Sequence, residues 1–153
     1  MPISSEQVVA DFIERIDRLL QGAKREISDL LAPDATLEVI GSTPLSGIYR
    51  GGEEILNVFA RTAMRRIASG SIRQLDSIAA GEEVGVFLLL RAVTPEGAVY
   101  NEQGDPSGCY FRTERGKIVE VRLFLDTTEV ETKLYGRRFV GNKGTLAGGG
   151  VTP

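Results

Sequence analysis

The fold turns on the stretch Gly116-Lys117-Ile118-Val119-Glu120-Val121-Arg122-Leu123-Phe124-Leu125-Asp126-Thr127. Arg115-Gly116 at its start reads as a two-residue hairpin turn, because glycine tolerates the positive φ that such turns need. The strand that follows alternates weakly and is apolar on both faces at its far end. Asp126 comes after Phe124 and Leu125 and is expected in low-dielectric surroundings, where a carboxylate is costly unless paired, hydrogen-bonded or protonated. Two readings compete for it. It is a general acid or base whose pKa the apolar wall tunes, or it caps the next turn, Asp126-Thr127-Thr128-Glu129, by accepting from backbone N–H groups.

The rest of the chain limits what such a carboxylate can work with. The 153 residues fit one domain with a substantial core, and 42% hydrophobic with 25% charged residues is ordinary for a water-soluble protein. A net charge of -3 gives no whole-protein field for nucleic acid, so no nucleic-acid partner is expected. The longest apolar run, Val84 to Leu90, is too short to span a bilayer, so no membrane partner is expected either. A single cysteine, Cys109, excludes an intrachain disulfide framework, and no leader segment is visible; both point to the cytoplasm. Histidine is absent. This removes imidazole bases, histidine-activated nucleophiles and histidine-based zinc sites. Acid–base work would fall to Asp, Glu, Tyr, Lys or Cys109, with no cofactor or metal.

Upstream, Ser4 to Gln7 forms a capping box for a helix whose stripe is Val8, Val9, Phe12, Ile13, Ile16, Leu19 and Leu20. A shorter helix is expected from about Ala23 to Leu31, then a strand from Ala35 to Ile40. Gly41 to Gly52 has loop composition with Tyr49 embedded in it. A second long helix is expected from about Glu53 to Ala68. Strands follow at Ile72–Ala79, Val84–Thr94, Ala98–Glu102, Gly108–Thr113 and Lys117–Leu125, with short turns that favour an antiparallel meander. Asp105-Pro106-Ser107 marks an excursion. Residues 141–153 are Gly-rich and read as a flexible tail to a single domain over 1–140. Helices followed by a curved antiparallel sheet make an α+β fold: a cone-shaped sheet closed by N-terminal helices around an internal apolar pocket.

Three segments carry a resemblance: Asp34-Ala35-Thr36, Ser46-Gly47-Ile48-Tyr49-Arg50-Gly51-Gly52-Glu53-Glu54-Ile55, and Phe111 to Arg122 continuing to Asp126-Thr127. In their order the chain resembles the SnoaL-like branch of the nuclear-transport-factor-2-like superfamily, from about Ser5 to Tyr135. That branch has ketosteroid isomerases, polyketide cyclases and limonene epoxide hydrolases among its relatives. The resemblance implies the cone-shaped fold, an apolar pocket and a homodimer formed through the outer sheet face. In several enzyme members an Asp at or near the end of this last strand is an acid or base, and Asp126 is the matching position. Family cyclases often add a cavity histidine, which this chain lacks. Ketosteroid isomerases carry their base shortly after the Asp-Ala-Thr segment, where this chain has Val39-Ile40, so that activity is not expected.

Asp126 and Tyr49 are the catalytic candidates, Tyr49 as a donor to an oxyanion or, otherwise, as a loop aromatic packed on the next helix. Phe12, Phe59, Arg91, Tyr110, Phe111 and Phe124 are the candidate ligand-binding residues. Counted back from the Arg115-Gly116 turn, Tyr110 shares a face with Leu123 and Leu125, opposite Asp126. Asp126 would share the cavity with Phe111 and Phe124; if Leu123 and Leu125 line it instead, Asp126 is a cap. The expected function is binding of a small apolar molecule, with cofactor-independent isomerase, cyclase or hydrolase chemistry through Asp126. The alternative is a non-catalytic ligand-binding or dimeric interaction module.

Overall fold

Ser4 caps α1 (Ser5–Leu20) with a complete capping box. Its hydroxyl accepts from the Gln7 N–H at 3.2 Å, and the Gln7 side chain accepts from the Ser4 N–H at 3.0 Å. In this computed structural model the described residues are 3–23 and 26–138. The Gly-rich stretch 141–153 lies outside them.

The second helix expected at 23–31 is not formed across its described part. Ser28–Leu30 makes one 3-10 turn, and β1 (Leu31–Val39) begins directly after it. Local side chains compete with the helix here: Glu26 accepts from both the backbone N–H and the hydroxyl of Ser28. β1 also gains a partner remote in sequence, pairing in parallel with β7 (Lys117–Phe124). The loop expected at 41–52 contains a short edge strand, β2 (Gly47–Arg50), antiparallel to β1. The next helix begins as α2 (Gly51–Glu54), widens into a π-helical segment (Ile55–Phe59) and ends as α3 (Ala60–Met64).

The sheet has the order β2-β1-β7-β6-β4-β3, where β3 is Ser69–Ala80, β4 Glu83–Val93 and β6 Ser107–Glu114. A two-residue β5 (Val99–Tyr100) pairs with the end of β4. The meander is antiparallel as expected; β1–β7 is the parallel exception. Register breaks interrupt β1–β7, β3–β4 and β6–β7. Bulges of this kind bend and twist strands, which is how a long sheet curls into a half-barrel.

The β6–β7 break decides the faces. Arg115 (φ 54) and Gly116 (φ 77) both have positive φ, as a type I′ hairpin requires. Pairing runs Glu114↔Lys117 and Thr113↔Ile118, then skips Val119 to Arg112↔Glu120. One extra residue reverses every side chain beyond it. Tyr110 therefore sits opposite Arg122 on the outer face, not with Leu123 and Leu125. The inner face carries Val84, Val86, Leu88, Cys109, Phe111, Ile118 and Val121, all buried in one core with Val8, Val9 and Ile13 of α1.

After β7 the chain turns at Asp126 into α4 (Thr127–Glu129), continued by a second π-helical segment (Val130–Leu134). Gly41 allows this turn to dock: its φ is 112, and a Cβ there would lie 2.8 Å from Thr127 Cγ2. Among the described residues, no helix is long and apolar enough to cross a membrane.

Candidate ligand-binding cavity

Between the helices and the concave face of the sheet lies a cavity of about 510 Å³. The C-terminal half of α1 supplies Ile16, Leu19 and Leu20 to it; the π segment and α3 supply Leu56, Phe59, Ala60, Ala63 and Met64. The sheet contributes Ile72, Leu90, Ala92 and Leu123, and the following residue Leu125 and Leu134 close the wall. A smaller void of about 120 Å³ continues inward between Phe12, Phe111, Cys109 and Leu37, sharing Phe59, Ala60 and Leu123 with the first. Both π-helical segments border this space, and π-helical turns frequently occur at functional sites.

Polar groups in the main lining are few. Tyr100 is 2% exposed, and its hydroxyl accepts the Asp126 N–H at 3.1 Å. That bond leaves the phenolic proton to be donated elsewhere. Burial raises the Tyr100 pKa, so the phenol stays protonated at neutral pH. The charged residues in the lining are Glu26 and Arg61, both exposed. Cys109 reaches the inner void, but burial pushes its thiol pKa up and away from the reactive thiolate. Among the described residues, no cluster of His, Cys, Asp and Glu suited to a metal ion is present.

The two catalytic candidates are not brought together here. Asp126 is exposed, lies outside the cavity lining, and caps α4: its Oδ1 accepts the Glu129 N–H at 3.1 Å. Leu123 and Leu125 line the cavity, so the face belonging to Asp126 points away. Tyr49 donates its hydroxyl to the Leu45 carbonyl at 2.7 Å and packs on Phe59 with ring centroids 5.2 Å apart. It supports the wall without lining the main cavity. Asp126→Ala is expected to remove the cap and cost about 1 kcal/mol, read from a chemical-denaturation midpoint, with ligand affinity unchanged.

The ligand-binding candidates divide by face. Phe12, Phe59 and Phe111 line the cavity or its inner extension, Phe12 and Phe111 meeting edge to face at 5.9 Å. Arg91, Tyr110 and Phe124 lie on the outer face. Arg91 is exposed opposite Ser71. Tyr110 donates to Glu83 at 2.8 Å, with the Arg122 guanidinium over its ring at 5.7 Å. Phe124 is 47% exposed. Sequence reasoning missed Tyr100, Arg61 and Glu26. A signal for the faces was present: Ile118, Val121, Leu123 and Leu125 break phase once, by three residues rather than two, at the bulge.

No family model and no curated protein matches the sequence. Solved structures do. A nuclear-transport-factor-2-like protein of unknown function from Burkholderia pseudomallei is 24% identical with a TM-score of 0.70, over 85% of this chain and 96% of that one. TerC, co-crystallised with polyporic acid, is 15% identical with a TM-score of 0.70, over 86% of this chain and 98% of its own. A protein with a ketosteroid isomerase-like fold from Catenulispora acidiphila, in complex with trimethylamine, is 17% identical with a TM-score of 0.62, covering 82% and 92%. Three sheet bulges, a helix-closed concave face and these neighbours agree: this chain has the nuclear-transport-factor-2-like fold.

Proposed function

We propose that this protein binds a small, largely apolar molecule in the cavity between its helices and curled sheet, without acid–base chemistry at Asp126. One observation carries the reading: a roughly 510 Å³ space walled by aliphatic and aromatic side chains, with Tyr100, Glu26 and Arg61 as its main polar contacts. Its size falls in the range of small-molecule sites, about 300–1,000 Å³. Catalysis needs a base and an oxyanion donor within reach of one reacting atom. The Tyr100 hydroxyl is engaged with the Asp126 N–H, and the acid in the lining, Glu26, is held by Ser28 at the exposed rim. The non-catalytic binding module is therefore preferred to an isomerase, cyclase or hydrolase. That two structural neighbours were crystallised with small molecules supports small-molecule binding on this fold. The test is a titration with a neutral apolar probe, dodecanol, followed by methyl NMR: saturable shifts confined to cavity methyls are expected.

A second copy of the chain is the proposed partner on the outer sheet face. Phe87, Gly108 and Phe124 are in register across β4, β6 and β7, so two exposed rings flank a position without a side chain. Phe87 is 53% and nearby Ile78 71% exposed. Exposed aromatics of this kind mark interaction surfaces. Light scattering is expected to give a dimer for the native chain and a monomer for Phe87→Arg; a native monomer refutes the interface.

A further inference from the structure

Resting on that cavity reading, we propose that the preferred ligand is an amphipathic monoanion: an alkyl or aryl carboxylate with its apolar body in the cavity and its acid group at the mouth against Arg61. The exposed members of the lining, Glu26, Arg61 and Met64, mark the mouth between the end of α1 and α3. Two of them are charged, and only one is free to act.

Glu26 is committed to its own turn. Its Oε1 accepts from the Ser28 N–H at 3.2 Å and the Ser28 hydroxyl at 2.6 Å, bonds that lower its pKa from the ordinary value. Its carbonyl accepts from Arg15 Nη1 at 2.7 Å, and the same nitrogen donates to Asp29 at 2.7 Å, fixing the turn against α1. A cationic ligand would have to compete with these bonds.

Arg61 is the opposite case. Arg15, Arg112, Arg122 and Arg137 each have a carboxylate partner, whereas Arg61 forms no ion pair or side-chain hydrogen bond among the described residues. A guanidinium offers a planar fork of donors that matches a carboxylate. Placed at the rim, it needs no burial of charge: the acid group stays partly hydrated while the apolar body leaves water. A neutral ligand would gain the same burial but leave Arg61 unused.

The experiment titrates the protein calorimetrically with dodecanoate, dodecanol and dodecyltrimethylammonium, in low salt and below micelle-forming concentrations. The three share one tail and differ in head charge. Dodecanoate is expected to bind up to about fivefold more tightly than dodecanol, the effect of one exposed ion pair. In Arg61→Ala that advantage is expected to vanish while dodecanol still binds, which also reports that the variant is folded. In native protein, raising the salt concentration is expected to shrink the advantage. Equal affinity of dodecanoate and dodecanol, a preference for the ammonium, or an advantage that survives in Arg61→Ala overturns the assignment. Failure of all three probes to bind overturns the cavity reading and this assignment with it.

Discussion

Ala60→Phe is expected to weaken ligand binding by well over about tenfold while leaving the protein folded. Ala60 opens α3 and lines both the main cavity and the inner void, so a ring placed there occupies the passage between them. Displacing about 100 Å² of ligand contact at roughly 25 cal/mol/Å² costs about 2.5 kcal/mol, or about seventyfold in affinity. Overpacking a filled core usually destabilises by about 1–3 kcal/mol. Here the ring enters space that side chains do not fill, so the unfolding midpoint is expected to stay within about 1 kcal/mol of the native value. Titration calorimetry and denaturation, run on the same sample, separate the two effects. Native affinity in the variant means that ligands bind elsewhere.

Phe111→Ala is expected to produce the largest loss of stability. Phe111 is 2% exposed at the centre of β6, opposite Val121, and meets Phe12 edge to face across the interface between sheet and α1. Truncating a buried Phe typically costs about 3–5 kcal/mol. The upper part of that range is expected, because the residue borders an existing void and its removal enlarges that void rather than inviting collapse. Against a total of about 5–15 kcal/mol this is a severe loss. For a chain of this length it lowers Tm by roughly 10 °C or more. Phe111→Leu, which keeps most of the volume, is expected to cost much less. A loss under about 1 kcal/mol for Phe111→Ala would mean that sheet and α1 are held mainly by other contacts.

Much of the architecture was legible in local chemistry. The Ser4 capping box, the apolar stripe of α1 and the Arg115-Gly116 turn each rest on neighbouring residues, and each is present. What local chemistry could not show was phase. Alternation counted from a turn assigns faces correctly only until the first bulge, and the skipped Val119 moved Tyr110 and Phe124 to the outside. Asp126 follows the same logic: next to Phe124 and Leu125 it reads as buried, but it lies beyond the reversal and ends as an exposed cap. The 3-10 turn before β1 and the strand hidden in the Gly-rich loop failed for another reason. Both depend on pairing with strands distant in sequence, β7 for β1 and β1 for β2, which no local propensity encodes. Arg61 was invisible as a site residue because a basic residue near a helix end is also what the helix dipole favours.

The cavity, and not the outer sheet face or the Asp126 turn, is expected to receive the ligand. Methyl NMR during a dodecanol titration tests it most directly. Saturable shifts are expected at Leu90, Leu123, Leu125, Ile67 and Ile72, which line the cavity, with Ile48 and Ile78 on the exposed outer face unmoved. Shifts at Ile48 and Ile78 with the cavity methyls unmoved would contradict it.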